Sequence, residues 1–163
     1  MNRPQKVHIS RWAGLAMSTP ARLTGGFLAL AIAAIHVADQ GGFPGTKEPT
    51  YVGIGYYLLE LACLLVAVTL LWPGRRSALP TIWLLAAFVA AAPLLGYTLS
   101  RGPGLPAYTE DRGNWTEPLG VISLAVETAL LVLSLAAVVL SSAGHTTSKP
   151  HSGRAETAVG ARG

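Results

Sequence analysis

Ionisable side chains are rare in this 163-residue chain, and two acids lie deep inside apolar runs. Glu60 is the only charged residue in the apolar run 49–74, and Glu127 lies within the last apolar run, after Glu117. Both positions are near the middle of runs long enough to span a bilayer. Because an ionisable group in hydrocarbon is costly, such groups often mark the place where a membrane protein handles a ligand, a proton or an ion. The alternative is structural, with each carboxyl hydrogen-bonded between helices.

Other polar residues are placed at the ends of the same runs. The predicted pocket lining is His36, Glu60, Ser123, Glu127 and Tyr97, and the predicted rim is Asp39, Arg101 and Glu117. His36 could instead be a polar interfacial residue, and Asp39 a solvated helix end. Arg101 could be a snorkelling anchor or a partner of Glu117 or Asp39. Glu117, directly before Pro118, could equally cap a helix.

Helical spacing places the polar residues on small-residue stripes. The stripes are Gly25, Ala29, Ile32, His36 and Asp39; Gly53, Tyr56, Glu60, Cys63 and Ala67; and Thr116, Gly120, Ser123, Glu127 and Ser134. Small and polar stripes face protein rather than lipid. We therefore expect all three to turn inward. Pro93 interrupts the backbone hydrogen bonding of the remaining run and predicts a kink there, just before Gly96 and Tyr97.

Four apolar runs must position these residues. The segments 77–100 and 128–148 contain no charged residue, over 24 and 21 residues respectively. We expect spans at 22–39, 51–72, 80–99 and 117–141. The predicted fold is all-α, a membrane-spanning antiparallel four-helix bundle. Residues 1–21 are expected to form a cytoplasmic segment, 22–141 the transmembrane domain, and 142–163 a disordered cytoplasmic tail.

The basic residues predict the orientation. Nine of the twelve lie in the N-terminal segment, in the loop between the second and third spans, and in the tail; the other three are Lys47, Arg101 and Arg112. Cytoplasmic loops carry the excess of Lys and Arg, so both termini are expected in the cytoplasm of a bacterial cell. The first span is expected to be retained rather than cleaved as a signal peptide. Met17 is an alternative start.

Composition and missing motifs exclude several classes. Only 12% of residues are charged, and Cys63 is the single cysteine, which excludes a disulfide scaffold. The net charge of +4 comes from basic residues that flank the apolar runs, which is explained by membrane topology. No nucleic-acid partner is therefore expected. The expected partners are the lipid bilayer and other membrane proteins or a second copy. No motif for phosphate, dinucleotide or zinc chemistry is present, and the sequence identifies neither a metal nor a cofactor.

A resemblance supports the same architecture. The segments 36–42 (HVADQGG), 96–101 (GYTLSR) with 104–106 (GLP), and 113–115 (GNW) with 117–120 (EPLG) resemble small four-span integral membrane proteins of GC-rich bacteria with no assigned activity. The resemblance covers about residues 22–141. It implies the four-span fold and no chemistry.

Three functions are compatible with these residues. The first is a non-enzymatic binding or accessory protein of the plasma membrane, with a polar pocket open to the outside. The second is a proton-coupled transporter of a small solute or ion that acts as an oligomer. The third is a membrane redox subunit that binds a metal, haem or quinone.

Overall fold

The structure is a computed structural model that describes residues 18–72 and 79–146. These residues form four α-helices: α1 (Thr19–Asp39), α2 (Thr50–Leu71), α3 (Leu79–Arg101) and α4 (Pro118–Thr146). The predicted all-α four-helix bundle is confirmed. Helix α4 continues beyond residue 141, where the predicted span ended. Residues 1–17 and 147–163, with most of the predicted cytoplasmic segments, lie outside the described residues.

All four helices are long and apolar enough to cross a bilayer. Their most apolar windows have mean hydropathies of 1.6, 2.1, 1.9 and 2.3 in chain order. Large apolar side chains cover the outside of the bundle, and Phe27, Leu61 and Phe88 are each more than 60% exposed. Such a surface is unfavourable in water and matches acyl chains in a bilayer. The chain is therefore a multi-pass integral membrane protein.

Consecutive helices are antiparallel. Near the start of α1, the Arg22 Nε donates to the carbonyl of Leu70 at 3.0 Å, near the end of α2. At the opposite end, the Tyr56 hydroxyl donates to Asp39. Helix α1 packs against α2 and α4, and α3 packs against α4 and α2, so the four helices form a ring. The loops 40–49 and 102–117 lie at the same end, which we call the loop end.

The apolar core fills the other half of the bundle. Its fully buried members include Ile32, Cys63, Val66, Leu70, Trp83, Ala86, Ala90 and Leu130. Two glycines allow the helices to approach closely there. A Cβ on Gly25 would lie 2.8 Å from the Trp83 ring, and one on Gly26 would lie 2.7 Å from Leu71 Cγ. Small residues at such contacts are typical of membrane helix packing.

The polar stripes turn inward within the helices, whereas Thr116, in the loop before α4, is exposed. Glu60 is 6% exposed and Glu127 is 1% exposed, although both lie on helices whose other faces meet lipid. Pro93 lies inside α3, which continues past it to Arg101. The predicted kink at this position stays a prediction.

Candidate functional site

A cavity of about 340 Å³ lies between the four helices at the loop end. Its size falls in the range of small-molecule sites in proteins. The helices contribute Ile35, His36 and Asp39 from α1; Tyr51, Val52, Gly55, Tyr56 and Leu59 from α2; Ala92, Pro93, Gly96, Tyr97, Ser100 and Arg101 from α3; and Leu119, Gly120, Ser123 and Glu127 from α4. Glu117, Leu105 and Tyr108 complete the wall from the second loop.

The cavity brings together most of the residues singled out from the sequence. From the predicted lining it collects His36, Tyr97, Ser123 and Glu127, and from the predicted rim Asp39, Arg101 and Glu117. These residues come from α1, α3, α4 and the loop residue directly before α4, and they are far apart in the chain. Their common position follows from helices that are antiparallel and turn their polar stripes inward.

His36 and Glu127 are neighbours in the cavity wall. The His36 Nδ1 lies 2.9 Å from the carbonyl oxygen of Ile32, which can only accept, so Nδ1 carries the ring proton. In the neutral ring Nε2 is therefore an acceptor, and it lies 3.9 Å from Glu127 Oε1. The Ser123 hydroxyl donates to the same Oε1 at 2.5 Å. This distance between His36 and Glu127 is too long for a direct hydrogen bond, so both groups can still bind a third partner.

Glu60 does not join them. Glu60 is not among the described residues that line the cavity. Its Oε1 accepts a hydrogen bond from Gln40 Nε2 at 2.7 Å. The reason is the orientation of α2. The residues of α2 that line the cavity centre on Gly55. Glu60 lies one turn beyond Tyr56, on the side of α2 that contacts α1 and the first loop through the Tyr56–Asp39 and Gln40–Glu60 hydrogen bonds. The side chain is buried as expected, but it ties a loop to a helix.

Arg101 organises the rim of the cavity. Its Nη1 lies 2.9 Å from Asp111 Oδ2, and its Nη2 lies 3.5 Å from Glu117 Oε2. The guanidinium also stacks on the Tyr97 ring, with its Cζ 4.3 Å from the ring centroid. Of the pairings considered from the sequence, the one with Glu117 is present. Asp39 pairs instead with Lys47, 3.0 Å away.

Glu117 both caps a helix and forms part of the cavity rim. Its carboxylate accepts hydrogen bonds from the backbone N–H of Leu119 at 3.2 Å and of Gly120 at 2.8 Å. It therefore caps α4, where the positive end of the helix dipole favours an anion. The same carboxylate lines the cavity and pairs with Arg101.

The second loop forms a partial roof over the cavity, to which it contributes Leu105 and Tyr108. Leu105 and Tyr108 exchange two backbone hydrogen bonds of 3.0 and 2.9 Å, and both side chains line the cavity. The Tyr108 hydroxyl donates to Asp111 at 2.7 Å, and the Tyr51 hydroxyl donates to the carbonyl of Pro106 at 2.7 Å. Burial, and then the hydrogen bond to Asp111, raise the pKa of Tyr108 above its usual value. The roof is thus held by polar contacts to the rim.

The wall between α2 and α3 is thin. Gly55, Ala92 and Gly96 line the cavity on this side, and Gly55 and Ala92 are exposed. A Cβ on Gly55 or on Gly96 would have no neighbouring atom within 4 Å. Helices α2 and α3 also pack less extensively than the other neighbouring pairs. This side of the cavity is therefore the least packed part of the bundle at the loop end.

Several site residues were not recognised from the sequence. Tyr108, Asp111 and Lys47 lie in loops, where no periodicity shows which side chains turn toward the bundle. Tyr56 lies on one of the predicted stripes, but its spacing alone does not indicate a place in the site. Gln40 follows the last residue of α1, and only the fold shows that it reaches Glu60.

No arrangement typical of a metal site occurs in the part of the chain that the structure describes: no three His, Cys, Asp or Glu side chains converge there. Comparisons with protein-family models, curated proteins and solved structures found no match to this chain.

Proposed function

We propose that this protein binds a small molecule in the cavity at its loop end. On this proposal the protein lies in the bacterial plasma membrane with both termini in the cytoplasm, so that the cavity opens to the outside. The cavity itself is the observation that carries the proposal. Away from the loop end, apolar side chains of the described residues fill the space between the helices. At the loop end, charged and aromatic side chains instead surround an open cavity.

The orientation rests on the distribution of basic residues. Among the described residues, the basic side chains at the loop end are Lys47, Arg101 and Arg112. In the sequence, the other nine lie before or at the start of α1, between α2 and α3, or after α4. This asymmetry favours a cytoplasmic position for the termini.

A variant that fills the cavity tests the binding function. Gly96→Leu places a large side chain in open space within the cavity, so it should remove ligand without disturbing the helices. Ala91→Leu is the matched control, because Ala91 is exposed on the same helix and lies outside the cavity wall. Each protein is purified and its bound small molecules are extracted and identified by mass spectrometry.

The expected result is a compound that accompanies the wild type and Ala91→Leu in near-stoichiometric amount and is missing from Gly96→Leu. Identical small-molecule content in all three proteins, or none in any, would contradict the proposal.

Proton-coupled transport is the second candidate. The 3.9 Å separation of His36 and Glu127 at the cavity favours it, because an imidazole and a carboxyl at this distance can exchange protons with a substrate. The cycle would need a second conformation that opens the packed half of the bundle. Flux into proteoliposomes that is lost with Glu127→Gln and kept with Glu60→Gln would support transport.

A further inference from the structure

The cavity wall carries an excess of negative charge. Counting the ion-pair partners just outside the wall, the carboxyl groups are Asp39, Asp111, Glu117 and Glu127, and the basic side chains are Lys47 and Arg101. The excess remains even if Glu127 carries a proton. A low-dielectric cleft lined with one sign of charge concentrates ligands of the opposite sign. The wall therefore favours a cation over an anion.

Aromatic rings surround the same space. Four of the five tyrosines in the chain line the cavity: Tyr51, Tyr56, Tyr97 and Tyr108. Two of the rings already have a basic side chain of the protein over their faces, with Lys47 Nζ 5.7 Å from the Tyr56 centroid and Arg101 Cζ 4.3 Å from the Tyr97 centroid. Aromatic faces attract organic ammonium groups, and clusters of such rings are a recurring way to bind them.

His36 and Glu127 offer hydrogen-bond acceptors to a cation. Neutral His36 can only accept at Nε2, because Nδ1 donates to the backbone. The Glu127 carboxylate also accepts, and its Oε1 lies 3.9 Å from that nitrogen. One ammonium nitrogen can reach both acceptors with hydrogen bonds of about 2.9 Å. With Glu127 ionised and the Ser123 hydroxyl already donating to it, a ligand that can only accept would face acceptors at this point of the wall.

The rest of the cavity favours an apolar body on the cation. Val52, Leu59, Pro93 and Leu119 contribute apolar surface, and the volume of about 340 Å³ is far larger than a metal ion requires. Converging metal ligands are also missing among the described residues. Gly55 and Gly96 leave open space beside this apolar surface, since a Cβ at either position would have no neighbouring atom within 4 Å.

We propose that the cavity binds an organic ammonium ion with an apolar body, the ammonium group lying between His36 and Glu127 and among the tyrosine rings. This inference rests on the proposed binding function and specifies its ligand class.

Three probes of similar size test the charge preference. Phenethylammonium is a cation, 2-phenylethanol is its neutral hydroxyl analogue, and 3-phenylpropionate is an anion with the same ring. Their affinities for the purified full-length protein in detergent are measured by calorimetry. We expect phenethylammonium to bind at least about tenfold more tightly than 2-phenylethanol, and 3-phenylpropionate to bind most weakly.

Two acid-to-amide variants locate the binding group. Glu127→Gln should weaken phenethylammonium binding by about tenfold or more, because it removes the charged partner. It should leave the affinity for 2-phenylethanol within about threefold, which also shows that the cavity is still folded. Glu60→Gln is the matched control: it changes another buried acid, outside the cavity wall, and should leave both affinities unchanged.

Some outcomes would overturn the proposal. If 2-phenylethanol or 3-phenylpropionate bound as tightly as the ammonium ion, the cavity would still be a binding site but not one for cations. If Glu60→Gln weakened ammonium binding as much as Glu127→Gln, the cation would not lie at Glu127. If none of the probes bound, the proposal of an ammonium ligand would be wrong. The binding function would still be tested separately, by comparing the small molecules that co-purify with the wild type and with Gly96→Leu.

Discussion

Glu60 and Glu127 show how much the surroundings of a residue decide its role. Both are acids in mid-span and both are buried. Glu127 lines open space beside His36 and Ser123, whereas Glu60 holds Gln40 of the first loop. The residue types in the apolar runs allowed both to be predicted as buried. Residue types alone could not show that Glu127 lines a cavity and Glu60 binds a loop. Those roles depend on which part of the protein each helix face contacts.

Tyr108 provides a residue-scale prediction about pH. Its pKa is raised by burial and by the Asp111 carboxylate, so folding favours the protonated phenol. The stabilisation is complete below the usual tyrosine value near 10 and is lost as the pH rises through the higher folded value. The roof of the cavity should therefore weaken only at strongly alkaline pH.

The ultraviolet absorbance of ionised tyrosine, compared between the wild type and Tyr108→Phe, measures this titration. The difference between the two absorbance titration curves should show a step at a pH well above the usual tyrosine pKa. A step at the ordinary tyrosine pKa in protein that remains folded would contradict the burial and hydrogen bonding described for this side chain.

At the scale of the helices, glycines divide into two groups. Gly25 and Gly120 lie where helices approach closely, and a Cβ on Gly120 would lie 2.6 Å from Tyr97 Cε2. Gly55 and Gly96 instead face the cavity, with no neighbouring atom within 4 Å of a Cβ at either position. The sequence shows four similar glycines in helices. Only the packing distinguishes those that permit contact from those that leave space.

The two groups should respond oppositely to alanine. Gly25→Ala should destabilise the protein by about 1–3 kcal/mol, because its methyl group meets the Trp83 ring. Gly55→Ala should stabilise it by about 0.5–1 kcal/mol, because alanine restricts the unfolded chain and meets nothing in the helix bundle. Thermal unfolding in detergent measures both. Equal effects of the two substitutions would show that the helices do not pack as described.

The helices themselves could be predicted because apolar runs of membrane-spanning length are separated by charged and turn-forming segments. Their inward faces were also largely predictable, since small and polar residues recur at helical spacing on α1 and α4. The cavity-facing side of α2 was not. Its stripe of Gly53, Tyr56 and Glu60 adjoins a second stripe centred on Gly55, and composition does not show which one borders open space.

For the whole molecule, the two ends of the bundle differ in packing and in charge. The end away from the loops is filled by apolar side chains such as Trp83 and Leu130. The loop end holds a cavity under a roof of ordered loop, and its charged residues are mostly acids. The sequence revealed the charge difference directly, but the roof depends on contacts such as Tyr51 with Pro106 that join distant segments.

Cysteine labelling in intact cells tests the outward-facing cavity most directly. Cys63 is buried and is replaced by alanine, and single cysteines are then introduced as Gly96→Cys in the cavity, Ala91→Cys on the lipid-facing side of α3, and Glu110→Cys in the exposed loop. A charged, membrane-impermeant methanethiosulfonate reacts only with thiols that water reaches from outside. We expect labelling of Gly96→Cys and Glu110→Cys but not of Ala91→Cys. An unreactive Gly96→Cys beside a reactive Glu110→Cys would contradict it.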